Sequence, residues 1–365
     1  MKLSESDQPE ARCLLSQDSQ KLSGSKDPRA AGVSRESSDF RPQSGQWIEV
    51  RSLSEIVATL DDEGTCDGLP FMPEMIAHCG KRFRVKRFAN KTCVNGASNF
   101  IGSLTECVVL LMPMRCDGSA HQGCEMGCQF FWKSAWLLPV DADLLENNSR
   151  LALRQFDGLQ QGAHVEPQND PQNEASVKWL GERALVDGGD DFGPRQYRCQ
   201  ATQLVQIASP TGPLKISQYV DDHRRDRILV SAIVWFLMTL FSKKLLRKSD
   251  NLAGPHQKRT PTQAIGLELG ERVRVKSFSE IRQTLDVNGC NRGLWFDPKE
   301  MGQFCDQELI VSRKITKMID EKTGRMRILK QPTVVLSETE CSGIFRRFCS
   351  RGALHFWREI WLERV

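Results

Sequence analysis

Val50-Arg51-Ser52-Leu53-Ser54-Glu55-Ile56 returns as Val275-Lys276-Ser277-Phe278-Ser279-Glu280-Ile281, 225 positions further along the chain. The match continues outward. Thr59-Leu60-Asp61 returns as Thr284-Leu285-Asp286, and Gly64, Gly68, Leu69, Phe71 and Pro73 fall on Gly289, Gly293, Leu294, Phe296 and Pro298. After a one-residue insertion, Glu74, Met75 and Cys79 fall on Glu300, Met301 and Cys305. Cys116, Gly118, Cys124, Phe131, Trp132, Trp136 and Leu137 then fall on Cys341, Gly343, Cys349, Phe356, Trp357, Trp361 and Leu362. Chance does not produce such a series, so residues 46–140 and 270–365 read as two copies of one module.

The repeated residues predict local structure. Ser52 with Glu55, and Ser277 with Glu280, have the Ser-x-x-Glu spacing of a capping box, in which each side chain satisfies a free backbone N–H at a helix start. A helix of about two turns, ending near Gly64 or Gly289, is expected to follow. Pro73 and Pro298 suit the first turn of a second short helix. Alternating apolar residues at Phe83/Val85 and Leu309/Val311, then at 108–111 and 334–336, read as strands, and Lys322-Thr323-Gly324-Arg325 as a hairpin tip. The Trp132/Trp136 and Trp357/Trp361 spacing predicts that each copy closes with a helix, its indoles in the core. The expected class is α+β: a tandem duplicated small module, an antiparallel sheet or SH3-like barrel with short helices.

Residues 1–45, polar and nearly free of aromatics, read as a disordered tail, and 141–269 as linker and a central helical segment. The chain of 365 residues has 39% apolar and 26% charged residues and a net charge of +4, which selects no partner class and argues against strong non-specific binding of polyanions. Its start, MKLSESDQPEARC, shows no basic-then-apolar leader. A cytoplasmic location is therefore expected, where 13 cysteines stay reduced and point to metal, reactivity or packing.

Cys116-Asp-Gly-Ser-Ala-His121-Gln-Gly-Cys124-Glu-Met-Gly-Cys128 is the sharpest local signal. Three thiols and an imidazole within 13 residues, with Cys93 as a further sulfur, supply the ligand types of tetrahedral zinc; an iron–sulfur cluster is the alternative. Reduced thiols in the core, or a disulfide, are the competing readings. In the second copy Arg346 and Ala353 stand where His121 and Cys128 would be, so no metal is expected there. Asp61, Asp62 and Glu63 sit at a helix end and Glu74 in a helix first turn, where acids are ordinary surface choices in the second case, so catalysis by paired carboxylates is not expected. Phosphate-loop, Ser/His/Asp and His-Glu-x-x-His signatures are absent.

The basic runs at 81–87 and 313–330, interleaved with apolar residues, read as strands with a solvated charged face; an RNA-binding barrel would normally show exposed stacking aromatics among the basic residues, so nucleic-acid binding is not expected. Ile228–Phe241 is the one continuous apolar run, flanked by Arg224, Arg225 and Arg227 and by Lys243, Lys244, Arg247 and Lys248. Its 14 residues would rise about 21 Å as a helix, short of the roughly 30 Å hydrocarbon core, so a buried central helix is expected, with peripheral membrane contact the rival reading. The phrases LPFMPEM, YRCQAT and FWKSAWL/FWREIWL resemble those of an uncharacterised bacterial protein family over most of residues 46–365, and the resemblance implies no activity. Together these features predict a tandem-module binding or scaffold protein with a protein partner and a structural metal in its first module. The alternatives are an enzyme using the Cys116–Cys128 cluster, and a peripheral membrane-associated envelope protein.

Overall fold

Alternation in Trp47–Val50 puts Ile48 and Val50 on one face, and both are fully buried there. In the computed structural model, which describes residues 40–93, 101–104, 108–140, 171–187, 195–246 and 252–365, this segment is strand β1 of a five-stranded antiparallel sheet. The other strands are β2 (Arg82–Phe88), β3 (Val108–Arg115), β4 (Gln129–Lys133) and β5 (Leu137–Pro139), in the order β4-β3-β2-β1-β5. A second five-stranded sheet comprises β6 (Arg272–Val275), β7 (Glu308–Lys314), β8 (Thr333–Leu336), β9 (Trp357–Arg358) and β10 (Leu362–Arg364), in the order β9-β8-β7-β6-β10. Among the described residues neither sheet closes into a barrel. The α-helices are α1 (Leu53–Val57), α2 (Pro171–Arg183), α3 (Gln200–Ile207), α4 (Ser217–Asp226), α5 (Val230–Leu246) and α6 (Phe278–Gln283), so the class is α+β.

The registers of the two sheets correspond. Ile48 pairs with Phe83 as Val273 pairs with Leu309, and Val50 with Leu137 as Val275 with Leu362. Val85 pairs with Leu111 as Val311 with Leu336, each followed by the same irregularity before Arg87 or Arg313. Both capping boxes form, Ser52 with Glu55 and Ser277 with Glu280. Helix α1 nevertheless stops at Val57, well short of Gly64. Asp61 takes over the chain there, its carboxylate accepting from the backbone N–H of Glu63 and of Thr65 at 3.0 and 2.8 Å.

The tryptophans correct the expectation of a closing helix. Trp132 lies in β4, Trp136 ends a 3-10 turn at Ser134–Trp136, and β5 follows; Trp357 and Trp361 are arranged alike. A strand joined to a strand by one tight turn also brings residues four apart to the same side. The core assignment holds: all four indoles are fully buried, and Phe71 and Phe296 meet Trp136 and Trp361 edge-on, with centroids 5.2 and 5.5 Å apart. The hairpin tip is where it was expected, between Lys317–Ile319 and Met326–Ile328.

The intervening segment is more than a linker. Helices α2 and α3 add Leu180, Ala184, Leu204 and Ala208 to the first core. The Gln200 carboxamide covers part of the free edge of β4: its Nε2 donates to the Phe131 carbonyl at 2.9 Å, and its Oε1 accepts from the Phe131 N–H at 2.8 Å. Helix α5 corrects the expectation of a buried central helix. Only one side packs, through Ile233 and Phe236 against Tyr219 and Phe348, and the other side is open. No helix among the described residues is long and apolar enough to cross a membrane.

Candidate metal centre

The chain leaves β3 at Arg115 and folds at once into a tight loop. Cys116 N–H donates to the Cys128 carbonyl at 2.8 Å, and Gly123 N–H to the Gly118 carbonyl at 2.8 Å. Gly118 has φ +77°, and a Cβ there would lie 2.1 Å from the Cys124 carbonyl oxygen, so only glycine lets the loop close on itself. A 3-10 turn, Ser119–His121, then carries His121 inward until its ring is 1% exposed.

Glu74 meets it from the 3-10 helix Pro73–His78. Its Oε1 lies 3.3 Å from His121 Nδ1, accepts from the Cys116 thiol at 3.6 Å, and accepts from the Ala120 N–H at 3.1 Å. One ligand atom from each of Glu74, Cys116 and His121 falls within 4.8 Å of the others. Glu74 Oε2 and His121 Nε2 are both out of water and have no hydrogen-bond partner among the described residues. Each such orphan costs about 1–3 kcal/mol unless something else binds it. Burial alone would push the Glu74 carboxyl up, but the hydrogen bond and charge of His121 hold it below its ordinary value. Burial, the Glu74 carboxylate and neighbouring thiols push the Cys116 thiol up.

A cavity of about 30 Å³ adjoins the triad, lined by Cys116, His121, Cys124, Cys128 and Cys199. The structure thus brings Cys116 and His121 into direct association and places Cys124 and Cys128 on the wall beside them. The Cys124 sulfur accepts from the Ile319 N–H at 3.4 Å, and burial raises the Cys128 thiol to about 11. Cys93 lies elsewhere, in a buried cluster with Ile101 and Cys349. A hydrogen bond from Cys349, with the charge of Arg351 close by, brings its thiol down to about 6.

Glu74 was the residue hidden from sequence reading, because the first turn of a helix is where exposed acids are common. A signal was present: Glu74 lies inside the apolar stretch LPFMPEMIA and the carboxylate recurs at Glu300, which is fully buried. There the same problem is met differently. Glu300 accepts from the Ser342 N–H and hydroxyl at 2.9 and 3.0 Å. Arg346 stands in the place of His121, 3.5 Å from Asp297, which itself stands in the place of Met72.

No protein family, curated protein or solved structure matches the chain.

What the triad can do follows from its donors. An oxygen, a sulfur and a nitrogen converging out of water are donor types that a borderline-soft divalent cation such as zinc accepts. A cluster held by several thiolates would need more than the one sulfur in the triad.

Proposed function

We propose that the protein is a binding or scaffold protein built from two copies of one module, the first copy stabilised by a zinc ion held by Glu74, Cys116 and His121. Each module is an SH3-like meander whose last strand returns beside the first, one strand pair short of closure. The matched registers, caps and Trp–Thr contacts of the two sheets support the duplication.

The observation that carries the metal is the convergence of one ligand atom from each of Glu74, Cys116 and His121 within 4.8 Å in a buried triad where Glu74 Oε2 and His121 Nε2 have no hydrogen-bond partner among the described residues. A carboxylate and a thiolate together out of water need positive charge nearby. In the second half Ser342 satisfies the Glu300 carboxylate and Arg346 stands nearby on Asp297; in the first half His121 faces Glu74, and a metal ion adds the charge that a Cys116 thiolate beside that carboxylate requires. A structural rather than catalytic role follows from access. About 30 Å³ beside the triad is far below the roughly 300–1,000 Å³ of substrate pockets, and one of the lining sulfurs, Cys124, Cys128 or Cys199, completes a closed four-ligand site there, whereas a water would leave the open position of a catalytic one.

The test is elemental analysis of full-length protein purified without added metal under reducing conditions, with thermal unfolding alongside. About one equivalent of zinc is expected, lost in Cys116→Ser and in His121→Ala with a fall in stability, and retained in Cys349→Ser. The double change Met72→Asp with His121→Arg, which writes the second half's chemistry into the first, should abolish metal while restoring much of that stability. Wild-type protein that folds stably without metal would overturn the proposal.

A further inference from the structure

Helix α5 packs by one stripe and leaves the opposite stripe in water. Ile233 and Phe236 are buried, while Val230 is 56% exposed, Val234 48%, Trp235 50% and Met238 67%. Among the described side chains of the helix Ser231 is the one exposed polar residue, with Thr239, which donates to the Trp235 carbonyl at 2.8 Å, at the edge of the face. In a helix of a globular protein this face should carry charged and polar residues. Trp235 also rests edge-on against Phe345, with centroids 5.8 Å apart, so the apolar surface continues beyond the helix onto the second half.

Charge at the ends of the helix says what covers this face. Arg224, Arg225 and Arg227 precede it, Lys243, Lys244, Arg247 and Lys248 lie at or beyond its far end, and no acidic residue occurs between 227 and 249. Asp226, the one acid among them, is occupied by Arg87 and by the Phe88 N–H, at 3.5 and 2.6 Å. A second copy docked on the same face would bring basic ends against basic ends in either helix orientation, since both ends carry the same sign. An acidic, laterally continuous surface with an apolar interior satisfies the stripe and both ends at once.

We infer that α5 is a membrane-docking helix, lying in the plane of an anionic phospholipid surface with Val230, Val234, Trp235 and Met238 inserted and the exposed Arg224 and Arg227 among the headgroups. Its length agrees: 17 residues make a helix about 25 Å long, suited to lying at the interface and short of a span. An exposed tryptophan beside aliphatic residues is the pattern of interfacial helices. The inference is independent of the metal centre.

The experiment is co-sedimentation of full-length protein with vesicles of phosphatidylcholine alone and of phosphatidylcholine with one-third phosphatidylglycerol. Binding to the anionic vesicles is expected to exceed binding to the neutral ones at least tenfold and to be released by 1 M NaCl. Val234→Asp with Met238→Asp should abolish it, and Arg224→Glu with Arg227→Glu should weaken it at least fivefold, all with an unchanged thermal unfolding profile because these side chains face solvent. No sedimentation with anionic vesicles would overturn the inference. So would salt-resistant recovery that only detergent reverses, or a concentration-dependent dimer in light scattering that Val234→Asp dissociates, the mark of a protein partner on this face.

Discussion

Glu74 and Glu300 show how much a single side chain can hide from the sequence. Each is a carboxylate placed by the corresponding short segment, and what separates them is the residue 47 or 46 positions later, His121 or Arg346. Cys116 and His121 were legible because they lie close together in sequence, whereas their partner Glu74 is brought in by tertiary packing. The second half carries another buried titrating group, His355, which stands where the first half has Phe130. Burial lowers its imidazole to about 4; Asp297 and Glu340 pull the other way and Arg346 reinforces the shift, while Nε2 is sealed from water without a partner. The folded-state value is depressed, so the unfolded chain takes up a proton at a pH where the folded chain does not. The resulting stability is fully present above about 6.5 and is lost as pH falls from there to about 4. Asp222 has the opposite slope, since burial raises it to about 6 despite Lys91. Comparing wild type with His355→Phe by denaturant unfolding at each pH cancels that background. The wild type should lose at most about 3 kcal/mol relative to the variant between pH 6.5 and 4. A constant difference across that window would mean that His355 titrates normally.

At the scale of elements, the parts readable in advance were those whose partners lie within a few residues. The capping boxes need only Ser52 with Glu55 and Ser277 with Glu280, and the hairpin tip needs only its own turn. FWKSAWL was misread as helix because a spacing of four says which side chains share a side, not which backbone puts them there. What holds the true arrangement is distant: Trp136 Nε1 donates to Thr59 Oγ1 at 3.0 Å, and Trp361 Nε1 to Thr284 Oγ1 at 2.9 Å, each across 77 residues. Both threonine hydroxyls in turn donate to the carbonyl three residues back, Ile56 or Ile281, at 2.7 Å. Thr→Val keeps the shape and removes the acceptor, leaving a buried indole N–H unpaired. Thr59→Val and Thr284→Val should therefore each cost about 1–3 kcal/mol, and by similar amounts, because the two environments match. Chemical denaturation of both variants checks this. A large effect from one and none from the other would show that the elements correspond in shape but not in energetics.

Over the whole molecule the two sheets are joined through groups that a single-copy reading treats as surface. The basic strand β2 was expected to turn a charged face to solvent, and Arg82 and Arg84 do so. Lys86 instead reaches Glu340 of the second half at 2.5 Å, and Arg87 donates to the Phe348 carbonyl at 3.3 Å. Contacts across some 260 residues leave no periodicity to read. One of the buried links is Arg351. Its Nη1 donates to the Cys93 carbonyl of the first half at 2.6 Å and to Glu321 Oε2 at 2.9 Å, and its Nη2 is hydrogen-bonded to Glu321 Oε1. Both side chains are nearly inaccessible, 5% and 2% exposed, so neither charge has water to fall back on. Removing one partner strands the other. Arg351→Leu is expected to cost about 3–5 kcal/mol, and adding Glu321→Leu should recover most of that, since an apolar pair avoids the desolvation that the ion pair must offset. The Cys93 carbonyl tells a joint from a purely internal ion pair. If Arg351 couples the halves, Arg351→Leu should lower hydrogen-exchange protection at residues 109–111 of the first sheet as well as at 334–336 of the second, and thermal unfolding should broaden or split. The double variant should restore stability without restoring that coupling, because leucine has nothing to donate to Cys93. Loss of protection confined to the second sheet would show instead that Arg351 does not couple the halves.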